Sequence, residues 1–170
     1  MNRGTALFAA CAALIVVLDQ VTKAIASARL LLGDPISLLG ETVRLTLVHN
    51  TGAAFGLFPG SRVPFIVISL VAIAVVLYLF FRETYRSALN RLLLGCILGG
   101  AIGNLVDRAR LGFVVDFIDV GMGRARWPVF NVADSAVTVG VLLLAWNLAR
   151  AGRVAAPDPE DPSRAGVPGG

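Results

Sequence analysis

Two aspartates, Asp116 and Asp134, lie in strongly apolar stretches of the sequence. Two carboxyl groups that are held close together cannot both ionise cheaply, so one keeps a proton while the other stays charged. Such a pair can activate a water molecule as a base and polarise a carbonyl group as an acid. The alternative for each aspartate is a structural ion pair with an arginine or a helix cap. This alternative is weakest for Asp134, the only charged residue between Pro128 and Ala149.

Other charged residues in or beside the apolar stretches suit a supporting role. Asp19 and Lys23 are four residues apart and would share one face of a helix, which favours a structural ion pair. Asp107 precedes Arg108 directly, and we expect it to orient that arginine. A catalytic dyad of Lys23 with Ser27 has less support, because Ser27 would lie at the extreme end of the helix.

The sequence offers little for other catalytic chemistries. His49 is the only histidine, and no GxSxG string accompanies it, which disfavours a serine protease. Cys11 and Cys96 are too few for a disulfide framework or a thiolate zinc site. We therefore expect no metal and no cofactor, with His49 on the surface or in a loop and Cys11 as a small packing residue.

The composition indicates a membrane protein. The chain has 170 residues, of which 56% are hydrophobic and 15% charged, and its mean hydropathy is +0.78. A soluble domain carries about 25% charged residues. The basic residues that raise the pI to about 9.8 are scattered along the chain, so we expect no nucleic-acid partner.

Four stretches are long and apolar enough to cross a bilayer, which takes about 20 helical residues. They span about residues 5–26, 63–81, 89–106 and 128–149. The third is rich in glycine, which allows close helix packing in lipid, and the fourth opens with Pro128, which suits a first helical turn. We predict an all-α membrane protein, a four-transmembrane-helix bundle in one domain over residues 1–150, with a disordered tail over 151–170.

A small β element is predicted between the first two helices. Residues 43–47 alternate apolar and polar side chains, and residues 36–39 could pair with them. Residues 112–118, between the last two helices, form another strand-like run. We expect the β element to rest on the extracytoplasmic membrane surface.

Alternating helices place the end of the first, the end of the third and the start of the fourth at one membrane surface. The intramembrane charges all lie at these ends, and the opposite half of every span is expected to be apolar. The short basic connection from Arg82 to Arg91 favours the other surface as cytoplasmic. Both termini are then cytoplasmic, and the charged site lies near the outer face.

Five strings occur in an order that resembles the motif series of the bacterial lipoprotein signal peptidases, a family of intramembrane aspartyl peptidases. They are LDQVTK at 18–23, HNTGAAFG at 49–56, GGAIGNLVDR at 99–108, VVDF at 114–117 and FNVADS at 130–135. Each string alone is weak evidence, but the five in this order are specific.

The resemblance implies an aspartic endopeptidase that removes the signal peptide from diacylglyceryl-modified prolipoproteins in the bacterial inner membrane. It implies that Asp116 and Asp134 are the catalytic pair. It also implies a set of binding or supporting residues: Asn50, Gly52, Phe55, Asn104, Arg108, Asn131, Asp107, Asp19 and Lys23. Residues 52–58, apolar and hinged by glycine, could form a flap over the site.

The expected partners are lipidated prolipoproteins and membrane lipids, and we expect the chain to act as a monomer. A small proton-coupled transporter or relay is the alternative function, because intramembrane carboxylates also suit proton transfer. The apolar opposite half of the spans argues against it, since no polar path crosses the membrane. A purely structural scaffold would not explain why Asp134 is tolerated.

Overall fold

Four long helices form the body of the protein. The computed structural model describes residues 3–52, 63–82 and 87–154. The helices are α1 (Arg3–Arg29), α2 (Val63–Phe80), α3 (Ala88–Arg110) and α4 (Val132–Val154). Each is long and apolar enough to cross a membrane. The predicted four-helix bundle is confirmed, and the chain is a multi-pass membrane protein.

Helix α3 lies at the centre of the bundle and packs against the other three helices. Its glycines permit this, because a Cβ on Gly95 would lie 2.7 Å from the Phe8 carbonyl oxygen of α1. A Cβ on Gly100 would likewise lie 2.5 Å from the Ala133 carbonyl oxygen of α4. The close packing predicted from the glycine pattern is therefore confirmed on both sides of α3.

The strands form one antiparallel sheet of four, in the order β1 (Ile36–Leu39), β2 (Val43–Asn50), β3 (Val114–Met122) and β4 (Ala125–Arg126). The predicted pairing of residues 36–39 with the next strand is confirmed, since Ile36 lies opposite Leu45. The sequence predicted two separate strand regions. The structure joins them, because β2 pairs with β3 and places Val48 opposite Asp116.

A buried aspartate ties the sheet together away from the helices. Asp119 of β3 accepts hydrogen bonds from Arg126 Nε at 2.6 Å and from Thr46 Oγ1 at 2.8 Å, and it pairs with Arg44 at 3.3 Å. Burial works to raise the pKa of Asp119, but the hydrogen bonds from Arg126 and Thr46 and the two arginine charges outweigh it and hold that pKa below its ordinary value.

Helix α4 begins later than predicted. It starts at Val132, not at Pro128, because Phe130 still pairs with Ile118 of the sheet and Asn131 caps the helix. At its other end α4 continues to Val154, past the predicted start of the tail at residue 151. The rest of that tail, residues 155–170, lies outside the described residues.

The half of the bundle away from the aspartates is not wholly apolar. Near the start of α3, Asn90 is buried and accepts a hydrogen bond of 2.7 Å from Asn147 Nδ2 of α4. The expectation of an apolar opposite half is therefore wrong at this pair. An amide pair satisfies both side chains locally, which makes it tolerable between helices in lipid.

Candidate active site

Asp116 lies on β3, on the sheet face that it shares with Asn50 of β2. The register places Val48 opposite Asp116 and Asn50 opposite Val114, and side chains two residues apart point to the same face of a strand. Asn50 Nδ2 consequently donates to Asp116 Oδ2 at 2.8 Å. Asp116 is only 1% exposed, so the sheet holds a carboxyl group out of solvent.

Asp134 lies in the first turn of α4, where it takes part in a reciprocal helix cap. Asn131 Oδ1 accepts from the Asp134 backbone N–H at 2.9 Å, and Asp134 Oδ2 accepts from the Asn131 backbone N–H at 3.3 Å. A negative charge at this position interacts favourably with the helix dipole. Asn104 of α3 donates to the other carboxyl oxygen, Oδ1, at 2.7 Å.

Asn131 joins the two aspartates. Its Nδ2 donates to Asp116 Oδ1 at 2.7 Å, while its backbone N–H and its Oδ1 both engage Asp134. Asn131 is fully buried, so this bridge is shielded from water. One amide side chain thus connects the start of α4 to the first residues of β3 and brings Asp116 and Asp134 into one polar site.

Lys23 of α1 contacts three of the residues that surround the two aspartates. Its ammonium group lies 2.8 Å from Asp19, 2.8 Å from Asp107 and 2.9 Å from Asn104 Oδ1. The predicted ion pair of Asp19 and Lys23 is thereby confirmed. Lys23 also fixes the orientation of the Asn104 amide, because Oδ1 accepts from Lys23 and Nδ2 is left to donate to Asp134.

The two supporting aspartates each hold the residue that precedes a site aspartate. Asp19 Oδ1 accepts from the Ala133 backbone N–H at 3.0 Å, and Asp107 Oδ2 accepts from the Val115 backbone N–H at 3.1 Å. The buried cluster therefore sets the backbone positions of both Asp134 and Asp116.

The expectation that Asp107 orients Arg108 is wrong. Adjacent residues on a helix point about 100° apart, and the Asp107 side chain turns towards Lys23, Val115 and Gln20. Gln20, which the sequence reasoning did not single out, donates to Asp107 Oδ1 at 2.9 Å. Its position directly after Asp19 in a polar string was the available signal.

Arg108 instead turns towards α2. Its Nη1 lies 3.3 Å from Ser69 Oγ and 3.4 Å from the Asn104 carbonyl oxygen. Ser69 was also missed by the sequence reasoning. The signal was a hydroxyl group within a helix that is otherwise almost entirely apolar.

Cavities open beside both aspartates. One of about 210 Å³ lies between α2, α3 and α4 and is lined by Asp134, Arg108 and Asn104 together with small or apolar side chains. A second, of about 320 Å³, borders Asp134 together with Trp127 and Phe130. A third, also of about 320 Å³, borders Asp116, Asn50 and His49. The polar site therefore adjoins space that can receive apolar groups.

Two features predicted from the sequence lie at or beyond residue 52, where the first described range ends. Gly52 has a φ of +78°, and its backbone N–H donates to Asn50 Oδ1 at 2.8 Å, which helps to orient the Asn50 amide. Phe55 and the rest of the predicted flap over 53–58 lie outside the described residues. His49 is exposed, as predicted, and its ring stacks on Phe113 at 4.0 Å.

The two site carboxyl groups have different surroundings. Burial, reinforced by the negative charge of Asp134, raises the pKa of Asp116 to about 6, although hydrogen bonds from Asn50 and Asn131 oppose the rise. Asp116 therefore holds a proton more readily than an ordinary aspartate does. A carboxyl group that keeps its proton can donate a hydrogen bond to a carbonyl oxygen.

The comparison with protein families identifies the chain. A model of the family described as signal peptidase (SPase) II matches residues 11–150, which is most of the sequence and includes all five motif strings. The chain belongs to the signal peptidase II family. A member of this family is a protease, and the transporter interpretation finds no support in the comparison.

Individual relatives agree with this assignment. A lipoprotein signal peptidase of Halothermothrix orenii is 42% identical over 131 residues, which cover 77% of this chain and 87% of the relative. One of Syntrophotalea carbinolica is 46% identical over 143 residues, covering 80% and 88%.

Solved structures show that the fold is shared as well. A bacterial membrane enzyme solved by the in meso method at 2.3 Å resolution superposes with a TM-score of 0.77 at 31% identity, covering 87% of this chain and 90% of that one. A second, at 1.9 Å resolution, gives a TM-score of 0.74 at 33% identity, covering 81% and 89%. This signal peptidase II family member thus shares its helical bundle with known membrane enzymes.

Proposed function

We propose that this chain is an aspartic endopeptidase that removes the signal peptide from diacylglyceryl-modified prolipoproteins, cleaving before the lipidated cysteine. The observation that carries the proposal is the Asn131 bridge between Asp116 and Asp134. This bridge lies in a chain whose relatives are named lipoprotein signal peptidases. Both site aspartates and the residues that hold them belong to this one chain, and we propose that it acts as a monomer.

In the proposed reaction, Asp134 and Asp116 share one proton. Asp134 takes a proton from a water molecule, whose oxygen attacks the carbonyl carbon of the scissile peptide, and Asp116 gives its proton to the carbonyl oxygen. When the tetrahedral intermediate collapses, the C–N bond breaks and the leaving amine takes the proton from Asp134. One hydroxyl proton of the intermediate returns to Asp116, which restores the pair without a covalent acyl-enzyme.

The surroundings of the pair suit a lipidated substrate. A signal helix that carries a diacylglyceryl chain presents its scissile bond near the membrane interface, and Asp134 lies at the end of a membrane-spanning helix. The cavities beside Asp134 have mainly apolar walls, including Trp127, Phe130 and Val139. We infer that these cavities receive apolar parts of the substrate.

We further propose that the enzyme lies in the bacterial inner membrane with both termini in the cytoplasm and the active site near the outer face. The short basic connection between α2 and α3 supports this orientation. Residues 1–150 would then form one peptidase domain, followed by a short cytoplasmic tail.

The decisive experiment compares two substrates. Purified protein in detergent is incubated with a diacylglyceryl-modified precursor and with its unlipidated twin. We expect cleavage of the lipidated precursor alone, with a new N-terminus at the modified cysteine. Equal cleavage of both substrates would contradict the lipid requirement, and cleavage of neither would contradict the proposed function.

A further inference from the structure

Arg108 is held in place by α2 as well as by its own helix. Its Nη1 contacts Ser69 Oγ at 3.3 Å and the Asn104 carbonyl oxygen at 3.4 Å. The charges of Asp134, Asp116 and Asp107 act on the guanidinium group. Within the described part of the chain, however, no carboxylate lies within salt-bridge distance of it. A hydroxyl group and a carbonyl oxygen therefore set its direction.

An aromatic ring completes the contact. The guanidinium carbon of Arg108 lies 5.9 Å from the centre of the Phe65 ring, within the range of a cation–π interaction. Phe65 is one turn before Ser69 on α2, and its carbonyl oxygen accepts from Ser69 Oγ at 2.9 Å. The same ring lies against the backbone of Gly52, where a Cβ would approach it to 2.6 Å. The Phe65 ring thus lies close to both Arg108 and Gly52.

Ser69 is unusual for the helix that carries it. Among the described residues of α2, only Ser69 and Val76 are buried, and half of the others are large apolar side chains that face outward. A polar group inside a membrane span usually faces the bundle interior and marks function. Ser69 also lines the 210 Å³ cavity that contains Arg108, Asn104 and Asp134.

The contact leaves most of the arginine available. A guanidinium group has five N–H donors, and the hydrogen bonds from Arg108 to described residues use Nη1 alone. Arg108 and Asp134 line the same cavity, so the remaining donors lie beside the space where a substrate carbonyl group would bind. Precise placement of such donors is what lowers the barrier of peptide hydrolysis.

We propose that Ser69, assisted by Phe65, is a positioning residue that aims Arg108 at the reacting carbonyl group beside Asp134. The proposal rests on the proposed peptidase function. Ser69 and Phe65 act through Arg108 and do not themselves take part in the proton transfers. The second helix, which carries no charged residue, thereby contributes to catalysis through one hydroxyl group and one ring.

The test compares Ser69→Ala and Ser69→Thr with Val71→Ala, an outward-facing position on the same helix that is 57% exposed. Loss of a hydrogen bond to a charged group should lower kcat for the lipidated precursor about tenfold, with a smaller change in KM. Because a nearby positive charge favours ionised carboxylates, a displaced Arg108 should move the acidic limb of the pH–rate profile to higher pH.

The matched variants separate positioning from folding. Ser69→Thr keeps the hydroxyl group and should restore both kcat and the acidic limb, and Phe65→Leu should shift the limb in the same direction as Ser69→Ala. Val71→Ala should match the wild type in both. If Ser69→Ala behaves like Val71→Ala, or if it loses activity only in proportion to thermal stability and Ser69→Thr does not rescue it, the proposal is wrong.

A second readout does not depend on activity. Side-chain ¹⁵N NMR of the full-length protein in micelles, assigned with Arg108→Lys, should show a more mobile guanidinium group in Ser69→Ala than in Val71→Ala. Equal mobility would overturn the proposal. Wild-type cleavage of the lipidated precursor tests the proposed function separately, so failure of one is distinguishable from failure of the other.

Discussion

Asn131 gives the two site aspartates different hydrogen-bond partners. It caps α4 with its carbonyl oxygen and donates its amide protons towards Asp116, so Asp134 meets a helix end and Asp116 a side-chain amide. Asn104 performs the matching task from α3, because Lys23 occupies its oxygen and its amide protons face Asp134. The Asn131 amide is thus oriented by the backbone N–H of Asp134 and the Asn104 amide by the Lys23 ammonium group, and neither of these donor groups takes part in the proposed proton transfers.

Replacing either site aspartate by asparagine should abolish processing. Asp116→Asn and Asp134→Asn each remove a proton donor or acceptor, and we expect cleavage of the lipidated precursor to fall by about a thousandfold or more. Asp119→Asn is the matched control, since Asp119 lies on the same strand as Asp116 but contacts Arg126 and Thr46 of the sheet. Near-wild-type cleavage by either site variant, measured on protein inserted in membranes, would rule out the catalytic pair.

The raised pKa of Asp116 predicts a pH-dependent stability. Its pKa rises from 3.8 to about 6 on folding, so the folded protein binds this proton more tightly than the unfolded chain. The resulting stabilisation is complete below about pH 4 and is lost as the pH rises through 6, a change of roughly 2 to 3 kcal/mol. Unfolding in detergent between pH 4 and 8 should show this loss in the wild type relative to Asp116→Asn. Parallel curves would contradict it.

At the scale of helices, backbone contact between α1 and α3 brings the supporting cluster to the site. A Cβ on Gly99 would lie 2.6 Å from the Ala12 carbonyl oxygen, which is backbone and cannot move aside without moving α1. We expect Gly99→Ala to destabilise the protein by about 1 to 3 kcal/mol and to lower activity by displacing Lys23.

Gly140→Ala provides the comparison for that substitution. The nearest atom to its Cβ is Ile97 Cγ1 at 2.7 Å, part of a side chain that can change rotamer, so the loss should be smaller. Thermal unfolding in detergent measures both variants. A loss from Gly140→Ala that equals the loss from Gly99→Ala would show that backbone contact is not the cause.

The elements whose signal is local could be predicted from the sequence. Apolar runs of about 20 residues with few charges identify the four helices. Alternation identifies β2, and β1 follows as the short run that could pair with it. The joining of β2 to β3 could not be predicted, because strand pairing across two helices depends on how the bundle packs. The start of α4 at Val132 was missed for a similar reason, since Phe130 is held by its pairing with Ile118.

The candidate site likewise divides into residues that the sequence could predict and residues that it could not. The motif strings named Asp116, Asp134 and the asparagines around them, because each string keeps its own spacing. Gln20 and Ser69 were missed because each matters through a contact with α3, Gln20 with Asp107 and Ser69 with Arg108. A motif string does not show such contacts between helices. The role of Asp107 was misjudged because adjacency in sequence does not place two helical side chains on the same face.

For the whole molecule, the uneven distribution of charge gives the bundle a polar end and a mainly apolar body. Asp19, Lys23, Asp107 and Asp134 all lie at the end of the helices that carries the sheet. A buried cluster of this kind is costly in lipid and is tolerable here because its members satisfy one another and the backbone. The helix ends without such a cluster carry the basic connection between α2 and α3.

This asymmetry predicts the orientation of the molecule. Arg124 lies in the turn between β3 and β4, before α4, and Arg150 lies in the last turns of α4. Because α4 crosses the membrane between them, the two residues lie on opposite sides. Both positions are exposed, so single cysteines there should react with maleimide when they are accessible. In a background of Cys11→Ala and Cys96→Ala, a membrane-impermeant maleimide added to intact spheroplasts should label Arg124→Cys. Arg150→Cys should react only after lysis, because basic connections remain in the cytoplasm. The reverse pattern would place the aspartates at the cytoplasmic face, where a precursor that is processed after export could not reach them.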